Sequence, residues 1–300
     1  MRVRQGQSDP DSEDLKLFAQ WVLDIGNGQV PPPPNSNPLT ENQILIPSRF
    51  CDLATENTVE NMISSIFPDF SHNGTSSHYL SERAILTPTN QTVGQVNSVI
   101  VDMLLGESVC YLSVDSAEEF GGMDEELNQA FPVEYLNSLN IAGLPYHNLK
   151  LKVGAVVMLM QNLNQILGLC NGTRMIITKC LKFCVECEVI CGTFAGTKHF
   201  IPRMELSPTD MKLSFKLVRK QMPLQLCYAM IINKSQGQSL KKIGLYLPKS
   251  VFTHGQYYVA VSRVISPSGL TIFVDDKSNV ATNVTQNVVY KEVFYSLPHS

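Results

Sequence analysis

The 300-residue sequence lacks any apolar run that approaches the roughly 20 residues a membrane-spanning helix requires. No apolar stretch follows the basic residues at positions 1–6, so the sequence predicts no secretory signal. In a protein that is not secreted, the eight cysteines are expected to be free thiols. The Asn-x-Thr triplets then carry no meaning as glycan sites, because glycan attachment requires secretion.

Charged residues are also scarce. They make up 17% of the sequence against 44% hydrophobic residues, a balance typical of a core-forming protein rather than a disordered one. The net charge of −4 and the single tryptophan argue mildly against a dedicated nucleic-acid-binding protein, which usually has a basic face and aromatic stacking platforms. They do not exclude a local groove for a single strand.

The first 80 residues predict three short elements. A helix is expected over 12–24, where apolar side chains recur at helical spacing. Gly26-Asn27-Gly28 ends this helix, and four consecutive prolines at 31–34 predict an extended connector. A strand is expected over 43–47 and a second helix over 57–66.

A strand–turn–helix unit, typical of α/β folds, follows at 84–103. An apolar strand enters the polar turn Thr87-Pro88-Thr89-Asn90, and apolar residues at three- and four-residue intervals then predict a helix. Four later apolar runs are typical of strands buried on both faces of a parallel sheet. They are 153–160, 226–232, 243–247 and 270–274.

Residues 165–220 differ from their surroundings, because short β-rich segments alternate there without a helical period. Asn171-Gly172 is the strongest hairpin signal in the sequence. We therefore predict an α/β fold in which a small antiparallel β-barrel, 151–220, is inserted into a parallel-sheet domain. That domain would comprise 81–150 and 221–278, and the weakly patterned residues 279–300 would be a tail.

The polar cluster Asn233–Ser239 follows the apolar strand at 229–232. Ligands bind at the carboxyl ends of parallel strands, Gly237 lets a backbone approach a ligand closely, and Lys234 can meet phosphate charge. The plainer interpretation is a polar turn with a surface lysine, and the cluster alone favours neither interpretation.

Residues 254–263 predict a further helix, with Arg263 near its carboxyl end. An arginine at that position interacts favourably with the helix dipole. It can instead be an arginine finger, which stabilises charge on a transferring phosphoryl group. Taken alone, the segment favours the dipole interpretation.

Together the two segments change this balance. Ile-Asn-Lys-Ser-Gln-Gly-Gln-Ser at 232–239, followed by Tyr-Val-Ala-Val-Ser-Arg at 258–263, resembles the fifth and sixth helicase motifs of Pif-type ATP-dependent DNA helicases. The resemblance covers most of residues 80–275 and includes the turn at 87–90 and the strand at 244–248. The subgroup it resembles most is related to rolling-circle (Helitron-type) transposons.

The resemblance implies a second RecA-like helicase domain with an inserted barrel of the Src-homology-three type. It implies that Arg263 is the γ-phosphate finger. It also implies nucleotide contacts from Gln236, Gly237 and Arg2, and DNA contacts from Thr87, Thr89, Asn90, Lys234 and Ser235. The implied activity is ATP- and Mg²⁺-dependent 5′→3′ unwinding of DNA in the nucleus, in DNA repair, recombination and telomere maintenance, with single-stranded DNA as the partner.

One part of the family's pattern is missing. The sequence contains no Gly-x4-Gly-Lys-Ser/Thr loop, whose backbone amides cradle phosphates, and the segment 192–198 has the wrong spacing. The acidic magnesium pair and the Gly-Asp-x-Arg-Gln segment are absent as well. We therefore expect a C-terminal portion of a helicase, in which 1–80 would end the first motor domain. It would bind neither ATP nor Mg²⁺ tightly alone and would require a first motor domain in cis or in trans.

Two alternatives remain open at this point. The chain could be a non-enzymatic DNA-binding or interaction remnant of a helicase, or a non-functional fragment. A separate question is the cluster Cys180, Cys184, Cys187 and Cys191, whose spacing is compatible with zinc. Because this stretch is predicted to form two strands, where cysteine behaves as a small buried hydrophobe, we expect no metal there.

Overall fold

The computed structural model describes residues 10–34, 42–52, 58–118, 131–208, 213–274, 283–290 and 292. The chain divides into two compact units. Unit 1 comprises Met1–Phe70, Glu82–Ser98 and Tyr228–Ser300, and unit 2 comprises Ser71–Ser81 and Val99–Cys227.

The described residues form helices and strands in alternation. The α-helices are α1 (Pro10–Asn27), α2 (Thr58–Ile66), α3 (Phe70–Asn73), α4 (Ser77–Ser81), α5 (Asn90–Met103), α6 (Val133–Ser138) and α7 (Gln256–Val261). The first nine strands are β1 (Gln43–Leu45), β2 (Cys51–Asp52), β3 (Arg83–Thr87), β4 (Val109–Leu112), β5 (Val114–Glu118), β6 (Asn148–Leu151), β7 (Val156–Leu159), β8 (Arg174–Cys180) and β9 (Cys184–Val189). The others are β10 (Lys198–Pro202), β11 (Met204–Leu206), β12 (Lys216–Gln221), β13 (Leu224–Leu226), β14 (Ala229–Ile231), β15 (Lys242–Leu247), β16 (Leu270–Val274) and β17 (Val284–Gln286).

Unit 1 is organised around a five-stranded sheet in the order β14-β3-β15-β16-β2, in which every pairing is parallel. Three of the four apolar runs predicted for a parallel sheet supply β14, β15 and β16. The fourth prediction was wrong, because Val156–Leu159 pairs antiparallel with β8 and β13 in unit 2. All four residues of β7 are buried, and complete burial does not distinguish a parallel from an antiparallel neighbour.

Two helices pack their apolar faces in unit 1. Phe18, Val22 and Ile25 of α1 are buried, and α2 buries Met62, Ile63 and Ile66. Ile66 lies so close to β15 that a Cβ on Gly244 would come within 2.7 Å of its side chain. The glycine therefore sets the approach of α2 to the sheet.

The predicted tail contains a strand. β17 pairs antiparallel with β1, and the side chain of Asn283 donates to the carbonyl of Ile46. The sequence pattern does not predict this strand, because the strand is only three residues long and its partner lies more than 230 residues earlier. The hydrogen bond from Asn283 to Ile46 joins residues 237 positions apart.

Unit 2 contains antiparallel sheets. The largest has the order β10-β9-β8-β7-β13, and smaller ones have the orders β11-β12-β5 and β4-β6. Across the described residues of 151–220, the only helix is the short 3-10 turn Gln165–Leu167. Unit 2 begins before residue 151, the predicted start of the inserted barrel, because β4, β5 and α6 also belong to it.

Strand β12 contributes a buried ion pair through Arg219, whereas its neighbour Lys220 is exposed. Arg219 of β12 and Asp115 of β5 are paired residues of the same sheet, and both side chains are 0% exposed. The guanidinium donates to both carboxylate oxygens at 2.6 to 3.1 Å and to the carbonyls of Leu136, Leu139 and Pro145. All five of its N–H groups are therefore used.

Candidate functional site

The carboxyl ends of β3 and β14 lie side by side in unit 1, with Thr87 in register with Ile231. The turn Thr87–Asn90 continues from the first strand, and the 3-10 turn Ile232–Ser235 continues from the second. Two of the polar segments predicted from the sequence therefore start at one edge of the sheet, where ligands of α/β proteins bind.

The side chain of Asn97 holds the start of β14, an edge strand. This asparagine of α5 is 2% exposed, and its Oδ1 accepts from the amides of Tyr228 and Ala229 at 3.0 and 2.8 Å. Its Nδ2 donates to the Ala229 carbonyl at 2.9 Å. Sequence analysis missed this residue, although a polar side chain within the apolar stripe of a predicted helix was the available signal.

The loop after β14 presents part of its polar cluster to solvent. Lys234 and Gln236 are exposed, and Gly237 adopts a φ of +85° in the left-handed region, which favours glycine over other residues. A Cβ at this position would meet no atom within 4 Å, so the need for glycine comes from the turn rather than from crowding.

Two of the predicted DNA-contacting side chains are inaccessible in this conformation. Ser235 is 0% exposed and its hydroxyl donates to the Ile232 carbonyl at 2.6 Å, so a direct contact with DNA is not compatible with this placement. Thr87 is also 0% exposed, and its Oγ1 has no hydrogen-bond partner. An unpaired buried hydroxyl is uncommon and costly, which marks Thr87 as unusual.

Thr89 and Asn90 lie at the amino terminus of α5. The Thr89 hydroxyl lies 2.9 Å from the Thr92 hydroxyl and 3.5 Å from the Thr92 amide, as expected of an N-cap residue. Asn90 begins the helix and is exposed. The amino end of a 14-residue helix carries partial positive charge, and such ends attract anions.

Arg263 connects the second predicted motif to the first. It lies just after α7, and its Nη1 donates to the Gln238 carbonyl at 3.3 Å. Its Nε donates to the Val259 carbonyl and its Nη2 to the Ser262 hydroxyl, both at 2.9 Å. Burial lowers the pKa of this guanidinium from its usual value, and Tyr258 opposes the shift.

The two motif segments are thus in contact, although 25 residues separate Arg263 from Gln238. The backbone reinforces this arrangement, because the Leu240 amide donates to the Arg263 carbonyl at 2.9 Å. Of the five guanidinium N–H groups, these hydrogen bonds use three and leave two for another acceptor. Arg2, the remaining predicted nucleotide contact, lies outside the described residues.

The clustered cysteines lie on or beside β8 and β9 in unit 2. Burial raises the pKa of the Cys180 and Cys191 thiols and raises the pKa of Cys187 to about 12, which disfavours the thiolate that binds metal. Among the described residues, no three His, Cys, Asp or Glu side chains are grouped to hold a metal ion. No helix within the described residues is long and apolar enough to cross a membrane.

A protein-family model matches part of this chain. The model of "DNA helicase Pif1, 2B domain" matches residues 134–180, which lie in unit 2. Among curated proteins, the ATP-dependent DNA helicase PIF1 of Danio rerio is 36% identical over 148 residues. The matched segment covers 48% of this chain and 22% of that protein, so the likeness concerns a portion of the relative.

Two solved structures are similar in fold. The Pif1 helicase of Candida albicans has a TM-score of 0.52 at 25% identity, covering 80% of this chain and 55% of that chain. The Pif1 helicase of Bacteroides, solved with ADP-AlF3 and single-stranded DNA, has a TM-score of 0.54 at 20% identity. It covers 96% of this chain and 53% of that chain.

Proposed function

We propose that this chain, which belongs to the Pif1 family of DNA helicases and matches a portion of its members, contributes the arginine-finger half of an ATP-driven DNA motor. In this proposal, the parallel sheet of unit 1 is the second RecA-like domain, and unit 2 contains the inserted barrel of the Src-homology-three type. The complete motor would unwind DNA in the 5′→3′ direction.

The contact between Arg263 and Gln238 carries the proposal. It joins the end of α7 to the loop that follows β14, and it leaves two guanidinium N–H groups for a phosphate oxygen. Arg219, by contrast, uses all five of its donors within the protein. The remaining donors on Arg263 suit a bidentate contact with an anion.

The residues of this chain fit only one side of a bound nucleotide. ATP and Mg²⁺ supply the transferable phosphoryl group and its charge neutralisation when bound, and the family's phosphate loop, absent from this sequence, supplies the amide cradle. From this chain, Arg263 would face the γ-phosphate, with Gln236 and Gly237 beside the nucleotide. A first motor domain in cis or in trans would hold the phosphates from the other side.

Single-stranded DNA is the proposed partner of the exposed polar groups at the sheet edge. Asn90 and Lys234 present a hydrogen-bonding group and a positive charge to solvent, and the amino end of α5 favours a phosphate. Ser235 and Thr87 would act from behind this surface, by fixing the loop and the turn, rather than by touching DNA.

The test uses this chain alone and joined to a first motor domain that carries a phosphate loop. We expect no ATP hydrolysis above background from the 300-residue chain, and DNA-stimulated hydrolysis from the joined protein. Arg263→Ala in the joined protein should lower turnover by about 10³–10⁵-fold while DNA binding is retained. Gln20→Ala, an exposed change on α1, is the control and should leave turnover unchanged.

Three outcomes would contradict the proposal. DNA-stimulated hydrolysis by the isolated chain would show that the phosphate-binding half is not missing. Near-normal turnover of the Arg263→Ala protein would remove the finger assignment. A joined protein that binds DNA and never hydrolyses ATP would favour the alternative, a non-enzymatic DNA-binding remnant.

A further inference from the structure

The described hydrogen bonds of Arg263 include one to another side chain, that of Ser262. The Nη2 group of the arginine donates to the Ser262 hydroxyl at 2.9 Å. The other two acceptors, the carbonyls of Val259 and Gln238, belong to the backbone. Ser262 is therefore the contact through which a side-chain substitution can change the direction of the guanidinium.

The Ser262 hydroxyl is itself oriented by the end of α7. It donates its only proton to the Val259 carbonyl at 3.1 Å, so its lone pairs remain to accept the bond from Arg263. Nε of Arg263 donates to the same carbonyl at 2.9 Å. The carbonyl, the hydroxyl and the Nε–Nη2 edge of the guanidinium thus close one hydrogen-bonded ring, which holds the arginine at two points.

The backbone at Arg263 is anchored separately. The Leu240 amide donates to the Arg263 carbonyl at 2.9 Å, and the Ile265 amide donates to the Leu240 carbonyl at 3.3 Å. Leu240 and Val264 are both 2% exposed. Because the main chain is fixed in this way, the bond from Ser262 governs the direction of the arginine side chain rather than the position of its backbone.

A local habit of serine explains part of this ring. A serine in a helix often returns its hydroxyl to a carbonyl three or four residues earlier, and the bond from Ser262 to Val259 has that spacing. The habit does not account for the bond from Arg263. Ordering a long side chain costs conformational entropy, and an arginine that is ordered before its ligand arrives loses less of it on contact.

We infer that Ser262 is a positioning residue for the arginine finger. It holds the Nε–Nη2 edge of Arg263 at the end of α7, so that the remaining donors, one on each Nη nitrogen, are presented together to the transferred phosphoryl group. Donors oriented in advance stabilise the charge of the transition state without reorganising during the reaction. This inference rests on the proposed function, since Ser262 acts only through Arg263 and touches no substrate itself.

Steady-state ATP hydrolysis by the joined protein, with single-stranded DNA present, measures this role. Ser262→Ala should lower kcat by about 10- to 100-fold, because a hydrogen bond to a charged group is lost and the finger is misplaced. The KM for ATP should change by less than about twofold, since the finger acts on the transition state. Ser262→Thr keeps a hydroxyl and should restore most of the turnover. Ser268→Ala, which removes an exposed hydroxyl bonded to Ser266, is the control and should leave kcat unchanged.

Two further measurements distinguish positioning from a general loss of structure. In the Arg263→Ala background, Ser262→Ala should cause no additional loss of kcat, because its effect passes through the arginine. In the isolated 300-residue chain, NMR can follow rotation of the Arg263 guanidinium about its Nε–Cζ bond. This rotation should be faster in Ser262→Ala than in Ser268→Ala, because the acceptor of Nη2 has been removed.

Equal rotation rates in those two variants would overturn the positioning role, whatever the turnover. An additive loss in the double variant, or normal kcat of Ser262→Ala in a joined protein that Arg263→Ala inactivates, would overturn it as well. Near-normal turnover of Arg263→Ala together with faster rotation in Ser262→Ala would have a different meaning. It would overturn the proposed function, and with it the role of Ser262 in turnover, while the orientation of Arg263 by Ser262 would stand.

Discussion

The two units of this chain use arginine in opposite ways. In unit 2, Arg219 is sealed from solvent, and all five N–H groups bond to Asp115 and to three backbone carbonyls. In unit 1, Arg263 is partly exposed and uses three of its five donors on neighbouring groups of the loop and α7. A satisfied arginine fixes the antiparallel sheets, whereas an arginine with donors to spare suits an external anion.

The largest expected loss of unfolding free energy follows replacement of the buried Arg219. Arg219→Met leaves the buried Asp115 carboxylate without its arginine, with the Ser113 hydroxyl still donating to it, and should lower the free energy of unfolding by about 3–5 kcal/mol. Urea denaturation of the chain, followed by a unit 2 probe, measures this. Lys220→Met, an exposed change on the same strand, should cost less than about 0.5 kcal/mol.

A double variant separates the cause. If the unpaired carboxylate is the cost, Arg219→Met with Asp115→Leu should be more stable than Arg219→Met alone. A cost for Arg219→Met no larger than that for Lys220→Met would mean that the ion pair does not hold unit 2 together.

The next-largest loss of unfolding free energy is expected for Asn97. Its buried side chain holds the start of β14 in unit 1 by hydrogen bonds, as the buried Arg219 holds neighbouring backbone in unit 2. Asn97→Leu leaves the amides of Tyr228 and Ala229 and the Ala229 carbonyl without this partner. The expected loss of unfolding free energy is about 2–4 kcal/mol. Hydrogen exchange of the Ala229 amide should become faster. Ser98→Ala, an exposed change one residue along α5, is the control, and equal exchange rates in both variants would remove the clamp role.

A smaller effect is expected for Arg263 on stability. Arg263→Ala loses three hydrogen bonds at a partly exposed position, which should cost about 1 kcal/mol. The contrast with Arg219 is then complete. Replacing Arg263 would lower the free energy of unfolding only slightly, but it would remove most of the ATP turnover of a joined motor. A loss of 3 kcal/mol or more would place Arg263 with Arg219, as a structural arginine.

The sequence predicted the elements whose signal is local. The apolar runs of β14, β15 and β16 and the helices α1 and α2 follow from the period of their side chains. The polar loop after β14 and Arg263 were recognisable as motif residues. Their contact through the Gln238 carbonyl, which joins residues 25 positions apart, was not predicted from the sequence.

The features that depend on distant partners were not predictable. The burial of Arg219 depends on its ion pair with Asp115, 104 residues earlier, which no local pattern in the sequence reveals. Ser235 differs from its predicted role for a local reason, because its hydroxyl donates to the Ile232 carbonyl inside the 3-10 turn. The strand β17 is defined by its partner β1 rather than by its own pattern.

The smallest predicted effect is the pH dependence contributed by Cys187, a fully buried thiol of β9 in unit 2. Burial raises the pKa of this thiol from its ordinary value near 9 to about 12. Because the folded-state pKa is the higher one, the stabilisation is present below pH 9 and is lost as the pH rises from about 9 toward 12. At pH 9 the loss should be about 0.4 kcal/mol relative to neutral pH. Urea denaturation at pH 7 and pH 9 measures it, and Cys187→Val should remove that increment. Cys110→Val, which removes an exposed thiol on β4, is the matched control. If the free energy of unfolding of the two variants has the same pH dependence, burial does not raise the pKa of the Cys187 thiol.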